Sequence, residues 1–274
     1  MTKTRKTLNY ILLVIVAFLI LIPFFWMLST ALKTENETLH IPPLLLPAVP
    51  QFGNFARALT VAPFMRYFAN TVIVAALVVS ISSVITVLTA FAFARLKFIG
   101  STVLFFVILS SMMVPQELLI ITNFMTIANL GWMNTFRALV LPFGVNAFNI
   151  FLLRQTMRQI PEELYTATRV DGLSNFQYLR KVVLPITKPT ILTTMLLSVI
   201  WTWNTFAWPN LITTRDEMRL ITNGLSNAFT ARAGNIQYEL QMAAATLVVI
   251  PLILVFIVLR KQIFAGMSRA GIKG

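Results

Sequence analysis

The chain is expected to be an all-α polytopic membrane protein with six transmembrane helices and both termini in the cytoplasm. Three observations predict this. The 274 residues are 57% hydrophobic and only 11% charged, with a mean hydropathy of +0.79, whereas a soluble domain carries about 25% charged residues. The apolar residues gather into six runs, most of them near the roughly 20 residues that carry a helix across a bilayer. The 22 Lys and Arg residues are shared unequally between the connections of those runs.

A net charge of +13 would suit a nucleic-acid binder, but the basic residues alternate with long apolar runs, and membrane topology accounts for them. No nucleic-acid partner is expected. The chain has no cysteine, which excludes a disulfide framework and thiolate metal or redox sites.

Lys3, Arg5 and Lys6 precede an apolar run from Leu8 to Leu32. The basic start and Ser29-Thr30-Ala31 loosely imitate a signal peptide. The run exceeds the roughly 7–15 residues of a signal core, so it reads as a retained first helix, kinked at Pro23. In the stretch Lys33 to Tyr67, Ile41-Pro-Pro-Leu-Leu-Leu-Pro47 and Pro50 favour extended chain over helix. His40, the only histidine, lacks a second ligand beside it and reads as a solvated loop residue. Further spans are expected at Phe68–Ala94, Thr102–Ile127, Ala138–Leu153, Thr190–Pro209 and Met242–Leu259. The links between them include a basic turn, Arg95 to Gly100, and a polar loop, Leu211 to Leu240. A basic tail, Arg260 to Gly274, follows the last span.

With the N-terminus inside, the inner segments hold Lys3, Arg5, Lys6, Arg95, Lys97, Arg154, Arg158, Arg169, Arg180, Lys181, Lys188, Arg260, Lys261, Arg269 and Lys273. The outer segments hold Lys33, Arg57, Arg66, Arg137, Arg215, Arg219 and Arg232. Basic residues concentrate on cytoplasmic loops, so this excess places both termini inside. It places the charged stretch Arg154–Pro189 inside with them.

That stretch reads as an amphipathic helical hairpin. Pro161 suits a first helical position, and Glu162 and Glu163 lie where the helix dipole favours negative charge. Gly172 supplies a left-handed stop. Ser174 can cap a second helix whose apolar face is Phe176, Leu179, Val182 and Val183, and Pro185 is expected to end it.

The segment Pro161-Glu-Glu-Leu-Tyr-Thr-Ala-Thr-Arg-Val-Asp-Gly172, followed by Val183-Leu-Pro185, resembles the cytoplasmic "EAA" loop of binding-protein-dependent ABC importer permeases. Ala167, Asp171, Gly172, Val183 and Pro185 match the pattern. The signature Glu falls on Thr166 and the second Ala on Thr168, with Glu162 or Glu163 a turn earlier as substitutes. Further pieces are similar to the carbohydrate-uptake, maltose-type inner-membrane subunits. They are Asn70, Ala90-Phe-Ala-Phe-Ala-Arg-Leu-Lys-Phe-Ile-Gly100, Met113-Val-Pro115, Phe151-Leu-Leu-Arg-Gln155, Trp203-Asn204, Gln262-Ile-Phe-Ala-Gly266 and Gly271-Ile-Lys-Gly274. Their order along nearly the whole chain carries the specificity.

The resemblance implies an ABC type I importer permease fold. Residues 1–65 would hold the N-terminus, first helix and outer loop, 66–259 the type-1 permease core with the coupling hairpin 154–189, and 260–274 a cytoplasmic tail. It implies import of a mono- or oligosaccharide across the cell membrane, or of glycerol phosphate or another polyol by the same mechanism. The implied partners are a second permease subunit of a different chain, two cytoplasmic ATP-binding subunits, an extracytoplasmic solute-binding protein and membrane lipid. No cofactor is expected in this chain, because ATP and Mg would be held by the ATP-binding subunits. A coupling helix, Glu162 to Ser174, would use Glu162, Glu163, Thr166, Ala167, Asp171, Gly172 and Pro185 toward the ATPase. The outer loop Leu211–Leu240 would touch the binding protein.

The residues themselves agree that the chain is not an enzyme. Gly266 to Lys273 imitates a phosphate-binding loop but lacks the Lys after the second Gly. An autonomous secondary transporter is the rival reading, and it would require more intramembrane charge than Glu117. For a solute path the candidates are Glu117, Asn146, Asn149, Trp203 and Asn204. Glu117 either lines that path or sits near the outer headgroups beyond a break at Pro115. The Asn residues either bind solute or join neighbouring helices. Trp201, Trp203 and Trp208 either stack on sugar rings or form an interfacial belt.

Overall fold

The computed structural model describes residues 3–230 and 237–271. Four unbroken helices are long and apolar enough to cross a membrane: Thr7–Ala31, Phe64–Arg95, Asn175–Asn204 and Tyr238–Val258. Two bent pairs make up the other spans. Ser101–Ser111 and Gln116–Asn129 meet at 86°, and Phe136–Phe143 and Ala147–Arg158 at 44°. The third and fourth spans are therefore broken; the break at Pro115 is one of the two alternatives expected for the third, and the break in the fourth is unexpected. Proline explains where. Pro115 has no N–H and biases Val114 away from helical backbone, while Pro142 opens a short 3₁₀ turn, Leu141–Phe143.

The chain divides into two compact units, Met1–Arg66 with Gly224–Leu254, and Tyr67–Asn223 with Val255–Gly274. In the first, Ala31, Ala58, Phe229, Leu240, Ala243 and Ala244 make a small-residue core. The first span leaves its most apolar stretch, within Thr7–Ala31, unburied within this chain. Its C-terminal end is secured by Asn54, a residue that nothing in its sequence context marks out. Asn54 Nδ2 donates to the Ala31 and Lys33 carbonyls at 3.0 and 2.8 Å, satisfying acceptors that a helix end leaves open.

The segment Ile41–Pro47 is non-helical as expected but bent instead of extended, and it is flanked by short helices Glu35–Thr38 and Gly53–Val61. His40 is exposed, its Nδ1 2.8 Å from the Pro42 carbonyl oxygen. Thr34 and Glu37 form a reciprocal capping box, and Glu37 also accepts the Ala48 N–H at 2.8 Å. These backbone N–H groups hold the Glu37 carboxyl below the usual carboxylate range. Lys33 is buried, with Nζ donating to the Leu44 carbonyl at 2.5 Å and lying 4.4 Å from the Trp26 ring. Burial pushes its ammonium pKa down.

In the second unit the Phe64–Arg95 helix carries two cores, one toward each end. Val74 and Val78 pack with Ile127, Ala138–Val140, Trp208, Ile212 and Leu220. Ala90 and Phe91 pack with Leu153, Met157, Ile160, Tyr178, Leu179 and Val183. Asn70 Nδ2 donates to the Glu217 and Arg219 carbonyls at 2.8 and 3.0 Å, and Thr71 Oγ1 accepts the Ile221 N–H at 2.8 Å. These bonds tie down Glu217–Ile221 within the expected polar loop 211–240, which is in part regular structure. It contains a 3₁₀ turn at Asp216–Met218 and a helix at Ile221–Thr230, with Leu220 and Ile221 buried. Residues 231–236 of that loop lie outside the described residues, as do 272–274 of the tail. The last helix runs on to Gly271, so the tail begins as helix.

Candidate functional site

The hairpin differs from expectation in two details that make it stiffer. Pro161 caps the helix Glu162–Val170 instead of opening it. Its φ of −55° and ψ of 141° suit the non-helical cap position. The helix Asn175–Tyr178, opened by the Ser174–Gln177 capping box, does not stop at Pro185. It passes through a π turn, Leu179–Val183, directly into the fifth span. A proline ring clashes with the carbonyl four residues back and removes an N–H. The wider turn, with Leu184 N–H donating to the Leu179 carbonyl, accommodates both. The fifth span thus runs from Asn175 to Asn204 instead of from Thr190 to Pro209.

Gly172 behaves as expected. Its φ is +74°, and the chain reverses through bonds from Gly172 N–H to Arg169 O and from Leu173 N–H to Thr168 O, at 3.1 and 3.0 Å. This is the paired closure that ends helices at a left-handed residue.

Three further contacts bind the hairpin to the spans. Arg95 donates to Glu162 at 2.7 Å, to the Met157 carbonyl at 2.9 Å and to the Ile160 carbonyl. Tyr165 and Tyr178 stack edge to face at 5.0 Å, with Tyr165 Oη donating to Asn175 Oδ1. Arg154 donates to the Phe93 carbonyl and lies 3.7 Å from the centre of the Phe105 ring. Glu162, one of the two substitutes for the signature Glu, is therefore engaged within the chain. Glu163 is exposed, and Thr166 turns its hydroxyl back to the Glu162 carbonyl at 3.2 Å. Ala167 and Asp171 are exposed as well, and so is Pro185 beyond the π turn.

The expected inner face is partly wrong. Leu179 and Val183 are buried, but Phe176 is 66% exposed, and the buried aromatic is Tyr178. Phe176 joins Leu164 and Val170, the last 84% exposed, among the apolar side chains that the hairpin leaves uncovered.

The second candidate region is a cavity of about 540 Å³ among the second, third, fourth and fifth spans. The breaks at Pro115 and at Gly144–Asn146 border it, in keeping with the rule that irregular backbone at membrane depth lines a cavity. Asn146, Asn149 and Asn204 line it as anticipated, joined by Ser82, Gln116, Ser198 and Trp201. Asn146 caps the helix Ala147–Arg158 by accepting the Asn149 N–H at 3.0 Å, and Asn149 Nδ2 donates to Ser198 Oγ at 3.1 Å. Asn149 thus joins two spans as well as lining the space. Asn204 bonds back to its own helix at the Ile200 carbonyl.

Trp203 does not reach the cavity. It is buried against Phe68, ring centroids 5.7 Å apart. Glu117 is exposed after the Pro115 break and lines an adjoining cavity of about 220 Å³, which shares Gln116, Phe143, Trp201 and Thr205 with the larger one. The structure thus separates the tryptophans. Trp201 lines both cavities, its ring 4.6 Å from Phe143, and the largely buried Trp208 lines only the smaller one, with Nε1 donating to the Ala138 carbonyl. Helical phase is the signal for this split, since positions 197, 198, 201, 204 and 205 share a face that excludes 203.

Residues 83–269 match the family described as binding-protein-dependent transport system inner membrane component. The trehalose/maltose transport system permease protein MalG of Thermococcus litoralis is 30% identical over 278 residues, covering 98% of this chain and 99% of its own. The sn-glycerol-3-phosphate transport system permease protein UgpE of Salmonella typhi is 27% identical over 265 residues, covering 94% of each. A chain in the crystal structure of a bacterial ABC transporter involved in the import of the acidic polysaccharide alginate superposes with a TM-score of 0.82. It is 25% identical, and the match covers 95% of this chain and 98% of that one.

Proposed function

The chain belongs to the binding-protein-dependent transport system inner membrane components, and we propose that it carries a mono- or oligosaccharide across the cell membrane by alternating access. It is a multi-pass membrane permease and not an enzyme, and its dependence on a solute-binding protein comes with the family. In our reading two ATP-binding subunits, holding ATP and Mg, seat on the hairpin, and a second, different permease chain completes the path. ATP-driven closure of the ATPase pair moves the helix Glu162–Val170. The continuous helix from Asn175 to Asn204 then passes that motion into the wall of the cavity. Glu163 and Asp171 offer acidic contacts to the ATPase, while Ala167, Val170 and Phe176 offer apolar ones. Glu162 acts from inside by holding Arg95.

The observation that carries this reading is the hairpin itself, exposed on its outer face and fastened to the spans through Arg95, Arg154 and Tyr178. The test is affinity purification from membranes through a tag on this chain, comparing wild type with Gly172→Trp. An ATPase and a second permease should accompany the wild type and be lost on substitution. Recovery of the chain alone, still carrying solute in vesicles, would establish an autonomous transporter instead. Glycerol phosphate remains the second reading because of the similarity to a glycerol-phosphate permease.

A further inference from the structure

We infer that this chain's wall of the transport path selects uncharged saccharides and rejects phosphorylated and uronate-bearing solutes, an inference that rests on the importer reading above. The relatives do not decide the matter, since their names include neutral sugars, a phosphate ester and an acidic polysaccharide. The lining does. No Lys or Arg is among the residues around either cavity. An anion entering this space would shed hydration without a cation to replace it. The one ionisable side chain there is the carboxyl of Glu117, in the adjoining cavity that shares Gln116 and Trp201, and it opposes negative charge.

What the wall does present fits hydroxyl groups. Ser82 lines the larger cavity with a hydroxyl and is 2% exposed. The Gln116 side-chain amide is exposed and lines both cavities. Asn149 donates one N–H to Ser198 Oγ and lines the cavity with its amide. A sugar hydroxyl both donates and accepts, so it can satisfy amide and hydroxyl groups alike. Trp201, steadied by Phe143, offers the flat apolar surface on which the C–H face of a pyranose packs.

The test uses the complex purified through a tag on this chain and reconstituted in liposomes with its binding protein. The probes are labelled maltose, trehalose, cellobiose, xylobiose and diacetylchitobiose, set against sn-glycerol 3-phosphate and an alginate trisaccharide. We expect ATP-dependent accumulation of at least one neutral probe and of neither anion. Gln116→Leu and Trp201→Ala should each raise the half-saturating concentration about tenfold, the loss expected for one good contact, with the ATPase still bound. Accumulation of either anion overturns the inference, and so does a complex that retains its ATPase yet moves no neutral probe. Loss of the importer reading looks different, because no ATPase then accompanies the chain.

Discussion

Arg95 is a basic residue of a cytoplasmic turn by sequence, yet its side chain is only 5% exposed and does three jobs at once. It neutralises Glu162 and satisfies the carbonyls of Met157 and Ile160, where the fourth span gives way to the hairpin. The two kinds of contact differ in worth. Glu162 is 67% exposed, so its ion pair is screened and contributes about 1 kcal/mol or less. The Met157 carbonyl also accepts the Ile160 N–H at 3.3 Å, so the Ile160 carbonyl depends most on Arg95, and leaving such a carbonyl unpaired costs about 1–3 kcal/mol. Glu162→Gln should therefore scarcely move the thermal unfolding midpoint in detergent, while Arg95→Ala should lower it clearly and loosen hydrogen-exchange protection at residues 157–162. Equal effects from both variants would mean that the ion pair, not the carbonyl contacts, holds the hairpin.

Among elements, the short helix Glu35–Thr38 shows how one side chain organises a loop. The Glu37 carboxylate accepts from Thr34 on its own helix and from Ala48 across the proline-rich segment. Its pKa is lowered by these backbone N–H groups, so the stabilisation is fully present above the ordinary Glu value. It is lost as pH falls through the lower, folded value. The protection factor of the Ala48 amide, its exchange measured against the unprotected rate at the same pH, should fall on acidification through that range in the wild type. In Glu37→Gln the protection factor should be low and nearly independent of that titration. A wild-type protection that stays flat with pH would remove Glu37 from this role. The hairpin helix makes the opposite case, an element with no buried residue of its own, held by its ends and by Tyr165.

For the whole molecule, transport requires that a surface and a cavity respond to one another, and the Asn175–Asn204 helix belongs to both. Its first turn sits in the hairpin and its last turns line the cavity. Val170→Asp would place a charge on an exposed apolar contact without disturbing the core. Insertion and thermal stability should stay near wild type, whereas co-purified ATPase and ATP-dependent uptake should fall at least tenfold. Retained uptake would show that the partner docks elsewhere.

Much of this was legible in the residues. Hydropathy determined membrane class and the number of spans, because crossing a bilayer demands long apolar helices. Lys and Arg placement set the orientation to be expected, with both termini inside. Pro161, Gly172 and Ser174 marked the hairpin because caps and left-handed turns are local in origin. Tertiary structure decided what depends on contacts distant in sequence. Pro185 could not announce a π turn, since a proline that ends one helix and one absorbed by a wider turn look alike in one dimension. Nor could Arg95 announce its carbonyl partners, 62 and 65 residues away. The division of the tryptophans between core and cavity follows from helical phase, but only packing shows which phase faces the opening. The breaks at Pro115 and Gly144–Asn146 become a cavity because neighbouring spans, not the sequence around each break, enclose the space.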